Sequence, residues 1–161
     1  MNYFFKGAST EAPFYFMFIS TKEIKLFYKG ASHFNENQYE EAHRLWELLW
    51  KKIGNDPRRL GLKVFLQLTG IHQNCLLQKW DSVRYLIKTS SRLVNENRNT
   101  LEAYIEVKSI ERFLTRYKDK EVTLKALDEV IIKRNGVEFT KTSELNEHLP
   151  LPHTKGTKPA P

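Results

Sequence analysis

Two neighbouring stretches of this chain carry different apolar patterns, and together they leave few folds open. Across residues 37–53, Tyr39, Ala42, Trp46, Leu49, Trp50 and Ile53 recur at steps of three and four, which puts one broad apolar face on an α-helix. Across residues 57–78, Val64, Phe65, Leu66, Leu68, Ile71, Cys75, Leu76 and Leu77 wrap most of the circumference. A helix apolar nearly all round is normally buried among others. A one-faced helix followed at once by an all-round one predicts an all-α fold, a compact helical bundle of about six helices with one central buried helix.

The punctuation supports that division. Asn37 and Glu40 stand at capping-box spacing, so the first of the two helices is expected to start at Asn37 and to end at Gly54-Asn55. Asp56-Pro57 opens the second, with Asp as cap and Pro in the first turn, where its missing N–H does no harm. Gly70, in the middle of that helix, costs about 1 kcal/mol against Ala; close approach of a neighbouring helix would be a reason to keep it. Upstream, Thr21 is placed to cap a helix carrying Ile24, Phe27 and Tyr28 inward, closing near Gly30 or running on to Phe34. Downstream, Trp80-Asp81 starts a helix with Val83, Leu86, Ile87 and Leu93 apolar, and the polar stretch 95–99 breaks it. Thr100 is then expected to cap a longer helix with Leu101, Tyr104, Ile105, Phe113, Leu114 and Tyr117 inward. A last helix over 121–134 carries Leu124, Leu127, Val130 and Ile131. The Asn135-Gly136 that follows also fits a hairpin turn, but the three-four spacing from Leu124 favours a helix with a glycine C-cap.

Composition bounds the rest. With 161 residues, 40% of them hydrophobic, the chain suits one domain with tails. Residues 1–20 are aromatic-rich without helical period and read as an N-terminal extension. Residues 21–140 form the helical domain, and 141–161, with Pro150, Pro152, Pro159 and Pro161, form a flexible tail. The single cysteine, Cys75, excludes an intramolecular disulfide framework and points to a reducing compartment. No apolar run reaches the ~20 residues of a membrane-spanning helix, and 13–19 is too short and lacks a clear cleavage site. A cytoplasmic protein without membrane contact is the simpler reading. The net charge of +7 permits contact with a polyanion, yet acids interleave with the cations throughout, so a solvated basic surface explains it as well.

The first of the two helices contains Tyr39-x-Glu41-Ala42-His43-x-x-Trp46-Glu47-x-x-Trp50. This pattern resembles the signature of the domain of unknown function 309 family (DUF309), in which it is followed by a loop, a basic residue or two and a long apolar helix containing a glutamine. Arg58, Arg59 and Val64-Phe65-Leu66-Gln67 answer to those parts, and Gln78-Lys79-Trp80 falls where the family has a polar turn into another helix. The likeness covers roughly residues 24–94. Arg44 stands where an acid is common, Val64 where glycine is common, and His72 about two positions ahead of the family's second histidine, near which this chain has Asn74. The resemblance implies a compact helical domain around a central helix, and no established reaction.

The same residues can be read without the family. His43 and Glu47 lie four apart and share a helix face, with His43 beside the stripe of Tyr39 and Trp46. Burying such groups unpaired costs several kcal/mol, so partners are expected, with Gln67 or Arg58 arriving from the central helix. The polar cluster Glu41, His43, Glu47, Arg58, Gln67 and His72 is the candidate site; Tyr39, Trp46 and Trp50 are its packing. A buried polar network that pins helix register is the plainer use. A His and carboxylate pair can also work as general acid and base or ligate a metal, but two ligands fall short of a zinc site, and the sequence points to no particular metal or cofactor. Cys75, flanked by Ile71, Leu76 and Leu77, reads as a buried inert thiol. Three function classes stay open. One is a non-enzymatic helical interaction module, self-associating through an exposed helix face. Another is an enzyme or metal-binding protein using His43, Glu47 and His72. The third is a nucleic-acid binder using Arg112, Arg116, Lys118 and Lys120.

Overall fold

A computed structural model describes residues 16–141. It is an all-α bundle of six helices with one small two-stranded sheet among the described residues. In chain order these are α1 (Thr21–Asn35), α2 (Tyr39–Ile53), α3 (Leu60–Leu76), α4 (Trp80–Glu96), α5 (Arg98–Glu102) and α6 (Lys108–Arg116), then β1 (Lys133–Arg134) and β2 (Val137–Glu138). The helix number agrees with the sequence reading, although the chain is divided differently.

Two turns without glycine set the first four helices. Ser20, not Thr21, caps α1, accepting a hydrogen bond from the Glu23 amide at 3.2 Å. Asn37 does not cap α2. It sits at φ +62, with its N–H on the Phe34 carbonyl and the Gln38 N–H on the His33 carbonyl, both at 2.9 Å. Those two bonds satisfy the last carbonyls of α1 in a Schellman turn, and Asn is one of the few side chains that enters the left-handed region readily. The expected capping box is therefore absent: Asn37 ends one helix and does not start the next, and α2 begins without a side-chain cap. Gln78 at φ +57 repeats the device after α3, through bonds to Cys75 and Asn74. Asp56 behaves as read, accepting from the Arg58 amide at 3.0 Å ahead of a single 3-10 turn, Pro57–Arg59, that leads into α3.

The core is an aromatic knot between α1, α2 and α3. Phe27 meets Trp46 at 5.9 Å and Phe65 at 4.9 Å between ring centroids, and Trp46 meets Phe65 at 5.3 Å. The Trp46 indole N–H donates to the Phe27 carbonyl at 3.0 Å, so the buried ring leaves no donor unpaired. This crossing is what needs a glycine: a Cβ on Gly30 would lie 2.7 Å from Trp46 Cε2. Gly70 was expected to have that role, but a Cβ there would meet only Leu86 Cδ1 at 3.4 Å, an ordinary contact.

Helix α3 is central in that α2 packs on one side and α4 on the other, and Leu62, Val64, Phe65, Leu68 and Ile71 have no solvent exposure. Its C-terminal end departs from the expectation. Leu76 and Leu77 are 51% and 56% exposed, because the α3–α4 turn carries them past the neighbouring helices.

The second half is rebuilt. The long helix expected from Thr100 is two short ones, with Thr100 inside α5 and not capping it. The chain leaves helical geometry near Ile105, where the Glu106 N–H bonds instead to the Lys133 carbonyl at 2.9 Å. The helix expected over 121–134 is absent. A 3-10 turn, Ala126–Glu129, is followed by extended backbone at Val130 and an antiparallel hairpin pairing Lys133 with Glu138 and Arg134 with Val137. Asn135 and Gly136, at φ +53 and +78, are both in the left-handed region that a two-residue hairpin turn demands. The β-branched run Val130-Ile131-Ile132 suits this extended path.

The packed body also starts earlier than Thr21. Met17 and Phe18 are fully buried, and Phe18 packs edge-on to Tyr104 at 5.2 Å. The expected tail lies outside the described residues, apart from Lys141. No helix among the described residues is long and apolar enough to cross a membrane.

Candidate functional site

The six suspected polar residues do not form one site. His43 is half-buried on α2 and faces α3, its Nδ1 2.7 Å from the Thr69 hydroxyl. Thr69 Oγ1 is also 3.0 Å from the Leu66 carbonyl. With the threonine proton spent on that carbonyl, its lone pairs are left for an Nδ1–H of His43. Glu47 is exposed. Four residues advance a helix by 400°, leaving Glu47 about 40° round from His43, enough to carry it off the edge of the buried stripe. Gln67 turns away from α2 altogether and accepts from Ser90 at 2.8 Å and Thr89 at 3.1 Å on α4. Gln67 and Thr69 are two residues apart, about 200° on α3, so only one of them can meet His43. The anticipated set of His43 and Glu47 with Gln67 or Arg58 thereby loses Gln67.

Arg58 has a different task. Its guanidinium holds the Glu23 carboxylate at 2.8 and 3.2 Å, Asp56 at 3.3 Å and the Met17 carbonyl at 2.7 Å. Its side chain is 10% exposed and that of Glu23 6%. Burial alone would raise the Glu23 carboxyl; the Arg58 hydrogen bond and the Ile19 N–H outweigh it and hold it below its ordinary value. Burial pulls Arg58 the other way and is likewise outweighed by Glu23. This pair pins residues 17–19 over the start of α1, with the Ile19 amide on Glu23 at 3.0 Å. Sequence reasoning missed Glu23, although a signal existed: it lies four residues before Phe27, on the inward stripe of α1.

Glu41 and His72 line one shallow cleft of about 600 Å³, together with Tyr39, Asn37 and Glu40. Half-buried Glu41 is engaged by Arg44 in an ion pair. The Tyr39 hydroxyl is 2.6 Å from Asp128 Oδ1 and 3.0 Å from Asn37 Oδ1, and the Tyr39 ring lies 4.6 Å from that of His72. Burial and the Asp128 hydrogen bond push the Tyr39 phenol well above its ordinary range. Burial lowers His72, against the opposing pull of Asp128 and Glu40. Asp128 comes from the C-terminal segment and had no sequence signal of its own.

Of the packing residues, Tyr39 is buried, Trp46 lies wholly inside and Trp50 is half-buried beneath Arg59, whose guanidinium carbon lies 4.0 Å over the ring. Cys75 is buried, and burial raises its thiol. Among the described residues no three His, Cys, Asp or Glu side chains converge to hold a metal.

The surface offers a different kind of feature. A cleft of about 910 Å³ runs between the start of α4 and the segment 118–122, and Trp80, 42% exposed, forms part of its lining. Exposed Leu76 and Leu77 precede it across the α3–α4 turn. No family model matches the chain, and no curated protein or solved structure matches it either.

Proposed function

We propose that the protein is a non-enzymatic helical interaction module of the DUF309-like type, which binds through the corner where α3 turns into α4. The commitment of the motif's polar groups supports this most directly. His43 is held by Thr69, Gln67 by Ser90 and Thr89, and Arg58 by Glu23 and a backbone carbonyl. Each fixes one element against another, as a structural network does. Meanwhile Leu76, Leu77 and Trp80 stand exposed within five residues of chain, the kind of local apolar surface that marks contact sites.

The reading is tested by sedimentation of the full chain over a range of concentrations. Self-association through this corner predicts a rise in average mass with concentration, lost in Leu76→Glu/Leu77→Glu while the circular dichroism spectrum is unchanged. His43→Ala should lower stability without affecting association. A folded His43→Ala protein that had lost a specific turnover of the parent would overturn the non-enzymatic reading.

A further inference from the structure

The cleft beside Trp80 is continuous in chain with a second feature. Helix α6 presents a shallow trough of about 570 Å³ lined by Lys108, Glu111, Arg112, Thr115 and Arg116. Its three cations are four residues apart, so they form one row on the helix with steps of about 6 Å, of the order of the separation of successive phosphates in an extended strand. Two residues beyond Arg116, Lys118 and then Lys120 line the Trp80 cleft.

Ion pairing leaves this track positive. Asp81 is taken by Arg84, Glu111 by Arg98, and Glu129 lies 3.7 Å from Arg116. Among the described residues Lys79, Lys108, Arg112, Lys118 and Lys120 have no acidic side chain within ion-pair distance, whereas only Asp119 and Glu121 remain unpaired acids in the two linings. Cations alone would suit any polyanion. What narrows the class is an aromatic side chain among them: Trp80, 42% exposed, lies in the wall of a cleft, which a flat base can enter and a bilayer surface cannot follow. Cationic grooves interrupted by exposed aromatics are how proteins hold unpaired bases and their phosphates together.

We propose that α6, the segment 118–122 and the start of α4 form a track for single-stranded nucleic acid, on which Lys108, Arg112, Lys118 and Lys120 hold phosphates and Trp80 stacks on a base. The proposal goes beyond the interaction-module reading, which is tested by self-association, and shares only Trp80 with it. Base contact by Trp80 gives the complex a component that salt does not remove, and the lysines and arginine give it one that salt does.

The test is fluorescence anisotropy of a short fluorescein-labelled oligothymidylate with the full chain, over a salt series. Four phosphate contacts predict a slope of about −3 in log affinity against log salt. Lys118→Glu/Lys120→Glu should weaken binding more than about tenfold at low salt and make the slope shallower by about 1.4. Trp80→Ala should cost about tenfold with little change of slope, and Trp80→Phe should restore most of it. Melting temperatures of the variants within a few degrees of the parent confirm that the effects are local. No binding at low salt overturns the proposal. So does a Trp80→Ala protein that binds like the parent while polyglutamate displaces the oligonucleotide as well as unlabelled oligothymidylate does. If the oligonucleotide fails but Leu76→Glu/Leu77→Glu still abolishes self-association, the nucleic-acid assignment falls and the module reading stands.

Discussion

At the scale of single residues, the groups that matter most are those whose side chains have one geometrically available partner. Glu23 is the clearest. Glu23→Gln removes the main counter-charge of a guanidinium that is only 10% exposed. Breaking one side of a buried pair is strongly destabilising, and a loss of about 3 kcal/mol is expected, at the low end of that range because Asp56 still faces Arg58. Urea denaturation of the variant checks it. Acid should act through the same group. The Glu23 carboxyl titrates below its ordinary 4.5 in the folded chain, so its stabilisation is complete above 4.5 and is lost as pH falls through the lowered value. His72 acts earlier. Its folded value lies below the ordinary 6.5, so the unfolded chain takes up the proton first and stability declines as pH drops below 6.5. Melting temperature against pH should therefore fall in two stages, with His72→Gln removing the first and Glu23→Gln the second.

At the scale of elements, glycines separate packing from propensity. Gly30→Ala drives a methyl group into the Trp46 ring where α1 crosses α2, and overpacking of this kind costs about 1–3 kcal/mol. Gly70→Ala has room against Leu86 and removes a weak helix former from the middle of α3, so it should stabilise by about 0.5–1 kcal/mol. Opposite signs for the two Gly-to-Ala changes, one in α1 and one in α3, measured by chemical denaturation, are a direct check on the α1–α2 crossing. Helices whose apolar period was strong, α1 to α4, were legible in the sequence to within a few residues. Their ends were less so, since Asn37 carries the letters of a cap but sits where α1 needs a left-handed residue. The region 121–134 was misread because Leu124, Leu127, Val130 and Ile131 fit a helical period, while Val130-Ile131-Ile132 before Asn-Gly fit a strand; local pattern could not arbitrate.

At the scale of the whole molecule, the C-terminal segment behaves as a strap across the bundle. Asn35, at the end of α1, donates to the Ile132 and Phe139 carbonyls at 2.8 and 2.9 Å and accepts from the Ile132 N–H at 2.8 Å, taking the place of a neighbouring strand. Phe139 stacks on Tyr28 at 4.2 Å, and the Tyr28 hydroxyl donates to the Tyr104 carbonyl at 3.0 Å. Asn35→Ala should accordingly speed amide exchange at Ile132 and Phe139 far more than in α2 or α3, which hydrogen-exchange mass spectrometry can resolve. The sequence by itself determined the helical class, the apolar faces of α1 to α4 and the turn at Asp56-Pro57, because periodicity and capping are local and act through neighbours a few positions away. Only the tertiary structure decided that His43 goes to Thr69, Gln67 to α4 and Arg58 to Glu23, and that residues 130–139 run as a strap instead of a helix. Those choices depend on which way each helix is rotated and on partners as distant as Asn35 and Ile132, and such contacts leave no spacing in the chain from which to read them.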